Sequence, residues 1–276
     1  MTATTPPQNE KPISRHPPFK QVEQTRPDYD STKSWNVTKT VSPEWKQGSG
    51  ATSSEWKNFK KIAIDPNSET RSPVDNYKLF ISAITPRPIG FVSTESKQGK
   101  RNLAPFSYFN VMNSDPPIFV LGFSGGKDKP KDSLRNILET EELTINIISE
   151  WFIEAANYCA VNSPYGVNEW ELSGLTPLES SAVKPPQVAE SAFSVEAKLV
   201  DTHEWKSKRD PSKASGVMCI VEGVRIHVRE DLINEERNTV DTAKLKPVAR
   251  LGGITYGRVN DVFELPRPDY EKDVEK

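Results

Sequence analysis

The chain has 276 residues, of which 35% are hydrophobic and 27% charged, with a formal net charge of −2. That length suits one large domain or two small ones, and the absence of a basic excess excludes a nucleic-acid partner from the expectations. Two cysteines, Cys159 and Cys219, exclude a disulfide framework or a Cys-rich metal centre, and the three histidines form no HxH or HxxxH pair.

Residues 1–72 form a polar arm rich in Pro, Ser, Thr, Lys and Gln. Too little apolar surface is available in its first half to offset ordering entropy, so that half is expected to be disordered or loosely attached. Met1 to Lys20 lack the apolar stretch of a secretory signal. No run approaches the ~20 apolar residues of a membrane-spanning helix. The expectation is a cytoplasmic chain with no membrane partner. Trp35, Trp45 and Trp56 are costly to leave in water, so part of the arm is expected to lie against the main domain.

The pattern changes at about Tyr77. Short runs rich in Val, Ile, Phe and Thr follow, separated by Gly, Pro, Asp and Ser, and predict strands at 89–94, 118–124, 143–149, 193–200 and 216–228. Gly223 in the last run predicts a bulge or barrel corner. Strands this frequent without regular helical crossovers favour an antiparallel barrel: a mainly β protein with a few helices. The apolar spacing of Leu134, Ile137 and Leu138 predicts a helix from Ser133, capped by Asp132 or Ser133. A second helix is expected over Trp151–Ala160 with Trp151, Ala155 and Tyr158 on its stripe, and a third over Asn238–Leu245, ended by Pro247. Both cysteines read as small buried hydrophobes.

Four segments carry chemistry. Gly125-Gly-Lys-Asp-Lys-Pro-Lys-Asp-Ser133 runs from a strand end to a helix start, combining free backbone, three lysines and unpaired helix N–H groups. It suits an anion, or else an ordinary solvated loop. In Thr85-Pro-Arg-Pro88, two prolines hold Arg87 extended before a strand. Its guanidinium suits a phosphate or carboxylate, or else is a surface arginine. In Asn102 to Asn113, the polar Asn102, Ser107 and Asn110 alternate with Phe106, Tyr108 and Phe109. That mixture suits a flat heteroaromatic ligand as well as core packing. In Ala249-Arg-Leu-Gly-Gly-Ile-Thr-Tyr256, glycines permit close backbone approach beside Arg250 and Tyr256, unless the segment is only a β-turn.

Taken in order, these motifs resemble the flavin-reductase-like, FMN-binding split-barrel family from about Tyr77 to Phe263, within a domain set at 73–265 and followed by a charged tail, 266–276. The resemblance extends to Asp115-Pro-Pro and Lys131-Asp-Ser-Leu-Arg-Asn-Ile, where Ser133 replaces a common threonine but keeps the hydroxyl. It implies a Greek-key split barrel, a homodimer with FMN near the interface, and phosphate contacts from Arg87, Lys131, Asp132 and Ser133. It places Pro88, Asn102, Ala104, Ser107 and Asn110 along the flavin, and Arg250, Gly252 and Tyr256 at the end of the pocket. His227 is a flavin contact or a structural strand histidine. The long tryptophan-bearing arm and the Arg250-Leu-Gly-Gly motif resemble the longer flavoprotein-oxygenase-like branch more than the short reductases. The implied activity is an FMN-dependent oxidoreductase passing electrons from a donor such as NAD(P)H to a small-molecule acceptor or oxygen. The alternatives are a non-catalytic flavin carrier or redox sensor, or a barrel holding a pyridoxal derivative or deazaflavin. The flavin carries that chemistry itself, so no catalytic acid or base is assigned.

Overall fold

A computed structural model describes residues 19–274, so the expectations for the first residues of the arm lie outside the described part. The chain forms two compact units, one ending at Ser34 and one from Trp35 onward. The first contains a short helix, α1 (Phe19–Glu23).

The second unit begins with β1 (Asn36–Thr38), a 3-10 turn at Glu55–Asn58 and α2 (Pro73–Ala83). There follow β2 (Gly90–Glu95), β3 (Arg101–Phe106), β4 (Phe109–Ser114), β5 (Pro117–Ser124), α3 (Asp132–Thr140) and β6 (Glu142–Ile147). A 3-10 turn at Glu150–Phe152 leads to α4 (Ile153–Tyr158), α5 (Glu169–Ser173), β7 (Pro177–Leu178) and β8 (Gln187–Val188). The chain ends with β9 (Phe193–Lys206), β10 (Ala214–Val228), α6 (Thr242–Leu245), β11 (Val248–Gly252), β12 (Thr255–Arg258), β13 (Asp261–Phe263) and α7 (Tyr270–Asp273).

Seven strands form one antiparallel sheet in the order β3-β2-β6-β9-β10-β5-β4. Its two outer strands, β3 and β4, are consecutive in the chain and separated only by Ser107 and Tyr108. Three Cα–Cα steps span at most about 11 Å, so the sheet curls until its edges meet. Packing across the seam agrees: the Phe106 ring lies 4.8 Å from that of Phe123, and the Phe109 ring covers Gly90 at 2.9 Å from where a Cβ would sit. The result is a split barrel in which non-sequential neighbours (β2 with β6, β10 with β5) give the Greek-key connection.

Side chains alternate between two cores. Val92, Leu143, Ile145, Val195 and Val221 face one cluster, into which α3 inserts Leu134 and Ile137. Phe91 and Leu103 face the other, closed by Phe152, Ala156 and Cys159 around α4 and by Trp170 of α5. Leu134 and Ile137 are fully buried, each contributing roughly 2 kcal/mol, so packing holds α3 in place.

Several expectations change here. α3 begins after Lys131, and neither Asp132 nor Ser133 caps it. The second helix starts as a 3-10 turn, and its tighter winding shifts the phase by one residue: Phe152, Ala156 and Cys159 are buried, while Trp151 and Tyr158 are exposed. The third shrinks to α6 at its start, where extended Asp241 caps it by accepting from the Lys244 amide, while its end at Leu245 before Pro247 is as expected. The aromatic-polar segment at 102–113, read as ligand-facing or core-packing without a strand assignment, is the β3–β4 pair. The register shift between Gly223 and Arg225 supplies the expected irregularity of β10. Residues 36–38 of the arm are anchored by parallel pairing of β1 with β13. Trp45 and Trp56 nevertheless stay exposed, against the expectation that burial of these rings would hold the arm.

Candidate functional site

A cleft of about 460 Å³ opens where β3 passes the start of α3. Strand alternation sends Leu103 into the core and turns Asn102, Ala104 and Phe106 toward the cleft. Lys131, Asp132 and Ser133 form one wall, and residues 159–163 after α4 form another with Glu169. The turn into α3 needs Gly125, whose φ of +90° is costly for any side chain.

The centre of the cleft is a buried pair: the Asn102 amide donates to the Ser133 hydroxyl at 2.7 Å. No other hydrogen bond engages that hydroxyl among the described residues, so its own proton is free to donate. No side chain caps α3, so the amides of its first turn are also without a cap acceptor. Helix dipole, uncapped amides, hydroxyl and the exposed Lys131 ammonium together favour an anion here.

Glu169 and the 159–163 wall were missed in the sequence. Glu169 is buried; its Oε2 accepts from the Leu103 amide at 3.4 Å and its Oε1 from the Ser163 hydroxyl at 2.8 Å. The carboxylate therefore ties the loop to β3. The available signal was Asn168, whose side chain caps α5 immediately before two acidic residues of its first turn. Nothing in the local sequence pointed toward β3. Burial pushes the neighbouring Cys159 thiol up to about 11.

A second group of the expected residues gathers at the other end of β3. Arg87 is buried, and its Nη1 donates to the carbonyls of Ile81 (2.6 Å) and Ile84 (2.7 Å) at the end of α2. Its Nε donates to Ser107 at 3.3 Å, and its backbone forms an antiparallel bridge with Arg250. Gly252 presses on the same helix end: at φ +119°, an added Cβ would sit 2.7 Å from the Ile81 oxygen. Arg250 stacks on Tyr256 at 4.2 Å, and the Tyr256 hydroxyl donates to Asn157 of α4 at 2.8 Å. Burial raises the Tyr256 pKa, against a smaller opposing effect of Arg250.

Three of the expected residues lie elsewhere. Pro88 lines a separate, largely apolar cavity with Ile147, Phe193 and Pro247. Asn110 is exposed on the outer strand β4, its side chain bonded to the next amide. His227 is 2.5 Å from the buried Glu196 and, among the described residues, makes no hydrogen bond to the other expected residues. Glu196 also accepts from Ser181, Ala182 and Val183. Burial would raise its pKa, but hydrogen bonds from the Ser181 backbone, His227 and Ala182 prevail and hold it at about 2. Among the described residues, no cluster of His, Cys, Asp and Glu is arranged to hold a metal, and no helix is long and apolar enough to cross a membrane.

A curled antiparallel sheet with an inserted helix whose bare N-terminus faces an edge strand across a cleft defines a split-barrel protein. The chain belongs to the family described as flavin reductase like domain, which matches residues 82–243. That span stops before Arg250, Gly252 and Tyr256. An uncharacterized protein of Halalkalibacterium halodurans is 36% identical over 210 residues, covering 75% of this chain and 97% of its own. Nitrilotriacetate monooxygenase component B from Bacillus cereus is 34% identical with a TM-score of 0.69, covering 75% of this chain and 100% of its own. The 2-nitrobenzoate 2-nitroreductase of Pseudomonas fluorescens is 30% identical with a TM-score of 0.66, covering 76% and 98%.

Proposed function

We propose that this chain binds FMN along β3 and works as a flavin-dependent oxidoreductase. The observation that carries the reading is the Asn102–Ser133 pair at the uncapped start of α3, inside a cleft bordered by Lys131. These groups fit a phosphate monoester: uncapped amides, a free hydroxyl proton and one ammonium meet at one point. From Asn102 to Phe106 the strand runs about 13 Å at the rise of an extended chain, leading from that point toward Ser107 and the seam.

In this reading, Ser133, Lys131 and the first-turn amides hold the phosphate, while Asn102 fixes the Ser133 rotamer. Ala104 leaves room beside the strand, and Phe106 offers an apolar wall. Asn102 and Ser107 supply polar groups at either end of that strand. Arg87 supports the site from behind by fixing α2 to Ser107 and to the Arg250 strand. Tyr256 and Asn157 fasten β12 to α4, the helix that leads into the cleft wall. When bound, FMN supplies electron transfer between a donor such as NAD(P)H and an acceptor or oxygen. The chain binds, orients and limits water, and no side chain of the cleft is needed as an acid or base.

The working form in this proposal is a cytoplasmic homodimer. Tyr77 and Phe80 are exposed on α2 and Ile84 just after it, and Val111 and Met112 are exposed on the outer strand β4. Such apolar surface beside an unpaired strand edge favours a second copy. The test is a visible spectrum of the purified protein with mass analysis of released ligand, followed by NAD(P)H oxidation with varied acceptors. Bound FMN and saturable turnover support the reading. A protein that ignores added FMN sinks it, and bound FMN that no donor reduces leaves a carrier.

A further inference from the structure

Next to the cleft, Tyr165, itself outside every motif discussed so far, gathers two cations. The Arg135 guanidinium lies 4.1 Å from the centre of its ring, and the Lys100 ammonium 5.0 Å. Arg135 stands one helical turn beyond Lys131, its amide bonded to the Lys131 carbonyl at 2.8 Å. Tyr165 belongs to the segment that continues from the cleft wall at 159–163.

These charges are unspent. Among the described residues, none of the side chains of Lys100, Lys131 and Arg135 has a carboxylate within ion-pair distance. None of the three donates a side-chain hydrogen bond either. Their neighbour Arg101, by contrast, is paired with Glu95 at 3.0 Å and faces Glu179 at 3.7 Å. The nearby Glu169 carboxylate is occupied by Leu103 and Ser163. A guanidinium lying over an aromatic ring is fixed in its plane while its N–H edge stays free, the arrangement that suits two-point donation to a phosphoryl group. In a chain of net charge −2, two unneutralised cations over one ring, with Lys131 one turn away at the cleft wall, form a local field beyond what a single phosphate at α3 requires.

We propose that Lys100 and Arg135, held by Tyr165, form a second phosphoryl subsite that takes the diphosphate of an adenine dinucleotide. The proposal rests on the phosphate reading of the cleft and extends it outward. Two sources share this chemistry: FAD, reaching past the flavin phosphate, or a pyridine dinucleotide arriving as electron donor.

The test titrates the flavin-free full-length chain with FMN, FAD, NADH and ADP, following flavin fluorescence or heat. The native chain is compared with the double variant Lys100→Ala, Arg135→Ala, whose fold is checked by circular dichroism. ADP and one of the two dinucleotides should weaken by at least about tenfold, the loss expected for a charge-assisted contact, while FMN changes by less than about threefold. Weakened FAD identifies the flavin as the source, and weakened NADH the pyridine nucleotide. Tyr165→Phe keeps the ring and should keep the ADP affinity. Should the double variant fail to fold, Arg135→Gln provides the same comparison. Undetectable ADP binding to the native chain, ADP binding unmoved by the variants, or equal loss of FMN and ADP each overturns the subsite. If FMN ignores the native chain while ADP binding still depends on Arg135, the flavin reading fails and the subsite stands.

Discussion

Asn102 on β3 and Ser133 on α3 are 31 positions apart, yet the amide of one donates to the hydroxyl of the other at 2.7 Å in a buried site. This contact joins the strand that runs the length of the cleft to the helix start that carries its positive potential. Ser133→Ala should leave the Asn102 amide without its acceptor, costing about 1–3 kcal/mol of stability. It should also weaken FMN by roughly tenfold, whereas Ser133→Thr should keep most of both. Urea unfolding and fluorescence titration measure the two effects separately.

Arg87 behaves differently. Its guanidinium is engaged by the Ile81 and Ile84 carbonyls and by Ser107. Arg87→Ala should therefore lower stability by about 3 kcal/mol or more, since bonds to a charged group are lost and two carbonyls are left unanswered. Its flavin affinity, measured below the unfolding midpoint, should fall less than that of Ser133→Ala. A stable variant with abolished FMN binding would place the guanidinium on the ligand instead.

Gly252 offers a related check. At φ +119°, with the Ile81 oxygen 2.7 Å from an added Cβ, Gly252→Ala is strained and crowded at once. A loss of at least about 2 kcal/mol is expected, compared with about 0.5 kcal/mol or less for an ordinary surface substitution. Thermal unfolding monitored by circular dichroism reads the difference.

Glu196 makes stability pH-dependent in one direction. Its pKa is about 2 in the folded chain, because its hydrogen bonds outweigh its burial, and 4.5 is the ordinary value. A depressed carboxyl contributes fully above the ordinary value and loses that contribution as pH falls from about 4.5 toward 2. Glu196→Gln should flatten acid unfolding in this window, by on the order of 2 kcal/mol between its two ends. An unchanged acid limb would show that other carboxylates dominate.

The thiols provide a fifth measurement. Burial pushes Cys159 up to about 11 and Cys219 up to about 12, so both stay protonated at pH 8. A disulfide-exchange reagent should modify neither rapidly in the native chain and both after denaturation. Fast reaction of Cys159 alone would mean that the wall at 159–163 opens far more often than its packing implies.

The barrel was readable because Val- and Ile-rich runs such as 143–147 and 216–221 belong to strands buried on at least one face. β3 and β4 were harder, since Pro105 and the polar Asn110 and Asn113 interrupt the apolar alternation by which a buried strand is read. Lys131, Asp132 and Ser133 were visible as an anion turn because helix starts carry a local signature. Their union with Asn102 is a product of the curl of the sheet, and Glu169 reaches Leu103 across 66 positions. Arg87 had the right residue type for a phosphate, but local sequence does not show that α2 ends on carbonyls needing donors. The stripe over Trp151–Ala160 slipped by one residue because periodicity assumes an α-helix from the first turn, and here that turn is 3-10.

The parallel pairing of β1 with β13 has a consequence for how the molecule is made. Asn36 reaches Asp261 across 225 positions, so this ribbon cannot form on a ribosome until residues 261–263 have emerged. Closing so long a loop is entropically costly, and three residue pairs return little until the barrel has already drawn the two segments together. The arm is thus a late addition in folding. During synthesis, the Trp-bearing segment from 35 onward waits unpaired while the sheet assembles, and the ribbon closes only once residues 261–263 are in place beside it.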